Sequence, residues 1–339
     1  MLGRDEVLGR RTPAKCDRGA QTRAILRGGR GRVPFAMEAA AYKRLYPHEY
    51  YEKFVSEGAR PDGRPLGRAR PVSVARGVVS TADGSTLAKI GRTTALAAVK
   101  LELVTPELDA PDEGGLDVTV ELPPMCSAAA RPGRPSEEAA YCSRRVADVL
   151  RDAKVVDPKR LCVDEGRFAW RARLDVYVLD HDGCVLDAAI LAANGALRDC
   201  VVPVVSVDER GEASVGEGVE REGDGDDDGA DEVGSNKKRK KTENARRAAC
   251  AVTAQSAPLS LTTALYRGRL IVDPTAEEEA LATTAVTVCL DGDGAVVAVL
   301  KPGGDAEATE SQIAHCVAAA RARHETLRRA LRDAFGEDI

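Results

Sequence analysis

Apolar and polar positions change period several times along the chain, and each change marks an element. Tyr46, Tyr50, Tyr51, Phe54 and Val55 recur at helical spacing. Pro47 suits a first helical position and Gly58 the residue just past a helix end, so a helix is predicted within 37–59. Short β-rich runs broken by glycine follow over 71–104, and residues 116–122 (LDVTVEL) alternate with a period of two. Residues 136–153 predict a helix with Ser136 as N-cap, Glu137 and Glu138 in the first turn, and Val146, Val149 and Leu150 facing inward. A strand is predicted over 168–179, with His181-Asp182-Gly183 as its turn, then a small-residue helix over 187–197 and a buried strand over 201–207.

After a break the β pattern resumes as LSLTTALY, an Arg267-Gly268 turn and LIVD. TAVTVCLD and AVVAVLK form a hairpin around 291–294. A long helix from about Thr309 closes the chain, with Thr309 and Gln312 as a capping box. Its apolar face carries Ile313, Val317, Ala320, His324, Leu327 and Leu331. The whole is α+β.

The break is different material. Twelve acids lie between Asp208 and Glu232, followed by Lys237-Lys238-Arg239-Lys240-Lys241, so 208–249 reads as a disordered acidic and basic insertion. The basic run fits a nuclear-import signal or a counter-charge to the acids before it. Residues 1–36, with eight arginines and no apolar period, read as a disordered extension upstream of a start at Met37.

Composition narrows the function. No apolar run nears the roughly 18 residues of a membrane span. Nine cysteines without a CxxC pair exclude the common zinc-ribbon and thioredoxin signatures. Arginine outnumbers lysine 37 to 12 in a chain heavy in Ala and Gly, so arginine content alone says nothing about nucleic acid. Four histidines lack partners at metal spacing, and no G-x-S-x-G, Walker or dinucleotide loop is present.

Arg60-Pro61-Asp62-Gly63-Arg64 alone is an Asp-Gly turn. Followed by Thr81-Ala82-Asp83-Gly84-Ser85 and Gly91-Arg92-Thr93-Thr94, it resembles the RNase PH family. Asp109-Ala110-Pro111-Asp112, Leu122-Pro123-Pro124-Met125-Cys126-Ser127 and Leu161-Cys162-Val163 extend the resemblance. So do Val272-Asp273-Pro274-Thr275 with Glu277-Glu278-Glu279, and Lys301-Pro302-Gly303-Gly304. In this order they look like the non-catalytic branch of eukaryotic RNA exosome ring subunits that includes exosome component 8. The resemblance implies an RNase PH-like fold in two parts, 60–207 and 250–335, the first like domain 2 of ribosomal protein S5. It also implies a hexameric ring of paired subunits, a partner of the exosome component 6 type, S1/KH cap subunits and RNA, and no membrane. The implied work is 3′–5′ RNA processing and decay, including rRNA maturation and mRNA turnover, in nucleus, nucleolus and cytoplasm.

Active members of the family cut RNA from its 3′ end with inorganic phosphate, which needs arginine and hydroxyl donors around the anion. They also use two aspartates six positions apart as acid and metal ligand. Asp273 and Glu279 align with that pair; alone, the same acids read equally as a solvated helix start. Pro124-Met125 stands where active members place an arginine. Gly133-Arg134-Pro135 keeps an arginine but replaces threonine by proline, which has no N–H to donate. The expectation is no catalytic residue, no metal and no cofactor, with Arg92, Arg131 and Arg134 as candidate nucleic-acid contacts or else ordinary surface arginines. Two other readings stand beside it: an active phosphate-dependent 3′–5′ exoribonuclease, and a free-standing RNA-binding adaptor.

Overall fold

Pro47 divides the first helical stretch. Its ring carries no N–H and disfavours helical backbone at the preceding residue. Hence α1 (Ala36–Leu45) stops at Tyr46, with φ −131° and ψ 62°, and α2 (Pro47–Ser56) starts anew. The one helix expected over 37–59 is two. Gly58 terminates α2 as expected, at φ +75°, its N–H reaching the Val55 carbonyl at 3.0 Å. The Arg60–Arg64 turn closes through Gly63 N–H on the Arg60 carbonyl at 2.9 Å, while Asp62 accepts the Arg64 N–H at 2.9 Å. These elements belong to one compact unit, Met1–Arg68, and Ala69–Ile339 forms another. The computed structural model describes residues 36–127, 136–203, 205–207, 213–215, 257–304 and 307–336. The extension over 1–36 and the insertion over 208–249 lie almost entirely outside the described residues.

The second unit is built on two sheets. The first contains β1 (Val72–Arg76), β2 (Gly84–Ile90), β3 (Thr93–Val104), β4 (Gly115–Glu121), β5 (Cys162–Asp164) and β6 (Phe168–Asp180). Its order is β1-β2-β3-β6-β4 with β5 paired to β6, antiparallel throughout except for β4 against β6. Helix α3 (Glu137–Asp152) packs on β4, capped by the Ser136 hydroxyl, which accepts the Ala139 N–H. Val146, Val149 and Leu150 face inward, as their spacing predicts.

Helix α4 (Val185–Asp199) is the centre of the unit, buried from Val185 through Leu197. Alanines at 188, 189, 192, 193 and 196 let it lie close on β2 and β3. Its other side meets β9 (Leu259–Tyr266) of a second antiparallel sheet, order β10-β9-β11-β12. The remaining members are β10 (Arg269–Val272), α5 (Ala276–Leu281), β11 (Thr284–Leu290), β12 (Val296–Leu300) and α6 (Glu310–Phe335). A single apolar cluster runs from Val99 and Val176 through Ile190 and Leu197 to Leu259, Cys289 and Leu331. The two parts expected from sequence therefore share this cluster, and a second cluster of Leu261, Val286, Val288, Leu290, Cys316 and Ala320 fills the space between the second sheet and α6. The Thr309–Gln312 capping box forms, but the buried seam of α6 is Cys316, Ala320, His324, Leu327 and Leu331, with Ile313 and Val317 only partly covered.

The buried strand expected over 201–207 is a correction. Val201 is half exposed, and only β7 (Val205–Val207) is extended, paired with β8 (Ala213–Val215) in a two-stranded ribbon. A β-branched run signals extended backbone, not which sheet will accept it, and Pro203 removes a ladder donor.

Asp187 joins α4 to the second sheet. This buried carboxylate in the first turn of α4 accepts from the Ser260 hydroxyl at 2.7 Å, the Thr262 hydroxyl at 3.1 Å and the Thr262 N–H at 2.7 Å. Asp187→Asn keeps the size but sets an amide against one of those donors, so we expect a loss of about 1–3 kcal/mol in denaturant unfolding at neutral pH.

Candidate functional site

Four separate segments of the second unit meet around one arginine. Arg70 precedes β1, and Asp273 follows β10 in left-handed backbone, φ +53°. The Arg70 backbone N–H donates to Asp273 Oδ2 at 2.6 Å, Nε donates to both carboxylate oxygens at 3.0 Å, and Nη2 donates to Oδ1 at 2.7 Å. Nη1 donates to the Asp182 carbonyl at 2.6 Å. Thr93 Oγ1 donates to the Gly183 carbonyl at 2.7 Å and accepts the Asp182 N–H at 3.1 Å. The guanidinium and the carboxylate are only 6% and 3% exposed. Burial alone would push the Arg70 group down, and the Asp273 hydrogen bond and charge more than offset it, holding it above its ordinary value.

Two glycines exist for this geometry. A Cβ on Gly91 would lie 2.3 Å from Arg70 Cδ, and one on Gly183 would lie 2.6 Å from the Pro274 carbonyl oxygen, both at positive φ. The Gly-Arg-Thr and His-Asp-Gly signatures are thus the seats of the Arg70 side chain and of the approach to Pro274.

Glu279 has a different task. Cys184, the residue before α4, has no capping hydrogen bond from its own side chain, and Glu279 Oε1 accepts its backbone N–H at 2.8 Å. The carboxylate satisfies an orphan donor and lies at the positive end of the helix dipole. Burial pushes its pKa up to about 7. Beside it, His181 Nε2 is 3.1 Å from Glu138 Oε1, and that bond raises the histidine pKa. The His181 N–H also donates to the Cys126 carbonyl at 3.1 Å. Burial pushes the Cys184 thiol well above its ordinary value, so it is no thiolate nucleophile.

The expected acid pair is therefore split in role. The solvated helix start survives only in part: Thr275 and Glu278 form a capping box on α5, yet Glu278 and Asp273 are buried. Met125 stands exposed in the 123–126 turn. Arg92 is exposed between β2 and β3, and its guanidinium has no partner among the described residues. Arg131 and Arg134 lie outside the described residues. Sequence reasoning missed Arg70, because one essential arginine looks like any other among 37. It also missed the His181–Glu138 pair, whose members are 43 positions apart. Among the described residues no group of His, Cys, Asp and Glu is arranged to hold a metal, and no helix is long and apolar enough to cross a membrane. A groove of about 890 Å³ runs along β4 and the end of α3, and none of the residues gathered around Arg70 line it.

Residues 68–203 match the model of domain 1 of the 3′ exoribonuclease (RNase PH) family, and residues 256–323 match its domain 2. The chain belongs to the RNase PH family. It is 32% identical over 265 residues to exosome complex component Rrp42 of Methanopyrus kandleri, covering 78% of this chain and 88% of that one. To the Rrp42 of Sulfurisphaera tokodaii it is 36% identical, covering 73% and 79%. The solved Archaeoglobus fulgidus exosome with RNA bound to its active site superposes with a TM-score of 0.67 at 27% identity, covering 86% of this chain and 98% of that one. The two matched domains coincide with the two sheets, so the RNase PH-like α+β fold expected from sequence is the fold observed.

Two outcomes follow from these bonds. Arg70→Met leaves Asp273 buried and unpaired, and we expect it to lower unfolding free energy by about 3–5 kcal/mol. Arg70→Lys should recover little, since an ammonium cannot reproduce the two-oxygen grip. Glu279 titrates higher in the folded chain than in the unfolded one, so the stability it contributes is present below about pH 4 and lost as pH rises through about 7. Glu279→Gln keeps an acceptor for Cys184 and does not titrate. Stability curves of the two proteins from pH 5 to 8 should therefore diverge in favour of the variant.

Proposed function

We propose that the chain is a ring subunit of the RNA exosome, of the Rrp42 type, that completes the ring and guides RNA without cutting it. Membership of the RNase PH family and the likeness over most of the chain to Rrp42 proteins support the ring assignment. The observation that carries the non-catalytic reading is the state of Asp273. Both its oxygens are engaged by Arg70 and it is 2% exposed, which leaves little of it open to a metal or a substrate. Its would-be partner Glu279 is occupied in capping α4. The finer assignment to the exosome component 8 branch rests on Asp273-Pro274-Thr275 and Pro124-Met125. In this reading the neighbours are RNase PH-like subunits, with an exosome component 6 type as the pair, and S1/KH caps. The processes are rRNA maturation and mRNA turnover in nucleus, nucleolus and cytoplasm, with Lys237-Lys238-Arg239-Lys240-Lys241 as the import signal.

One observation favours the active reading. Glu279, with a pKa near 7 and His181 close by, is a group able to exchange a proton at neutral pH. The two readings separate by assay. The chain alone and in a reconstituted ring is given RNA and inorganic phosphate, and nucleoside diphosphates are measured. We expect none from the chain alone, and identical ring activity with Glu279→Gln. Release by the chain alone that disappears in that variant would make it an enzyme. Asp273 is unsuited to this test, because its substitution costs the Arg70 pair and hence the fold.

RNA contact has its own test. In a ring reconstituted with partners, replacing Arg92, Arg131 and Arg134 by alanine should lower the slope of log affinity against log salt by up to about three, one per phosphate contact. An unchanged slope would make them ordinary surface arginines.

A further inference from the structure

The first sheet ends on an open edge. β4 is terminal in the strand order and pairs only with β6. Along a strand the backbone polar groups of successive residues point to opposite sides, so alternate residues of β4 bond β6 and the others face away from the sheet. Ser143 of α3 shows which these are. Its hydroxyl accepts the Val120 N–H at 2.8 Å and lies 3.4 Å from the Val120 carbonyl. Val120 therefore faces away from β6, and by the same alternation so do Leu116 and Val118. Their outward N–H and C=O groups have no partner among the described residues.

Unpaired groups on a sheet edge form a template for another strand unless something covers them. α3 covers Val120 only. Leu116 and Val118 line the groove between β4 and the end of that helix, where Ala147, Leu150, Val156 and Pro158 supply apolar surface. Open main-chain groups beside apolar side chains are the arrangement that takes up an added strand.

The chain itself supplies such a strand next to the groove. Residues 216–256 lie outside the described residues, and the structure resumes at Ala257, which shares a small cavity with Gly292 and Asp293 of the β11–β12 turn. The same two residues line the groove. Residues 250–256 read CAVTAQS, with Cys250, Val252 and Ala254 alternating against Ala251, Thr253 and Gln255, and no Gly or Pro occurs between Ala245 and Ala257. That is the period of a strand with one apolar face. Seven extended residues reach about 23 Å, enough to run from Ala257 along the groove. Charge agrees. Arg246 and Arg247 precede the segment, while Glu113 and Asp293 of the groove form no ion pair among the described residues.

We propose that residues 250–255 join the first sheet as a strand along β4, pairing with the backbone of Leu116 and Val118 and turning Cys250, Val252 and Ala254 toward the apolar wall of the groove. The strand closes an edge that would otherwise template foreign chains, and it tethers the charged insertion beside β4. The proposal does not depend on the ring assignment above.

Hydrogen exchange of the full chain, read by mass spectrometry on peptides covering 114–121, tests it. The comparison is with the double variant Ala251→Pro and Val252→Pro. Of two adjacent donors one must face β4, so the pair of prolines removes it. We expect the amides of Leu116 and Val118 to exchange at least about tenfold more slowly in the parent chain than in the variant. The Val120 amide, held by Ser143, should be the same in both. Replacing 216–247 by a Gly-Ser linker of equal length should leave the protection in place. Fast exchange of both amides in the parent chain overturns the proposal without any variant. So does equal protection in the double-proline chain, or loss of protection in the linker chain. Protection that appears only at high protein concentration would place a second copy on the edge and overturn it too.

Discussion

The buried ion pair between Arg70 and Asp273 is the bond on which the candidate site depends. Two charges taken out of water carry a desolvation cost that their mutual attraction covers only when geometry is good and the remaining donors are satisfied. Here they are: Nε, Nη1 and Nη2 of Arg70 all have acceptors, and Thr93 completes the group through the Gly183 carbonyl. The partners come from the start of β1, the β2–β3 turn, the turn after β6 and the end of β10. One side chain thereby ties the first sheet to the second.

That arrangement gives each acid of the short motif a structural partner. Asp273 and Glu279 lie six positions apart, one held in an ion pair and the other capping a helix that lacks its own side-chain cap. Asp187, one turn further along α4, ties the same helix to β9 and β11 through Ser260, Thr262 and Thr287. Three buried or half-buried carboxylates thus cluster around the first turn of α4, and burial raises the pKa of both Asp187 and Glu279, to about 6 and about 7. Asp273 answers Arg70, Glu279 caps α4, and Asp187 ties that helix to the second sheet.

Local signals carried most of the element assignments. The period of two in LDVTVEL, the Ser136 and Thr309 caps and the Arg267-Gly268 turn all depend on residues within a few positions of one another, so they are legible in the chain itself. Where a local signal had no unique tertiary meaning it misled. The apolar run over 201–207 reads as a buried strand, yet Val201 is exposed and only three residues pair, in a separate ribbon. The long helix kept its cap and length, while its buried seam shifted to include Cys316, because the seam is set by what β9 and β11 present to it.

By itself the sequence determined the α+β class, the family and the positions of the acids, since these reside in periodicity and in short ordered motifs. Which arginine answers Asp273 was decided only by the fold. Arg70 and Asp273 are 203 residues apart, and nothing in either neighbourhood names the other. A buried carboxylate must find a counter-charge, but desolvation acts on the folded arrangement and not on the chain, so among 37 arginines only the tertiary structure selects the partner.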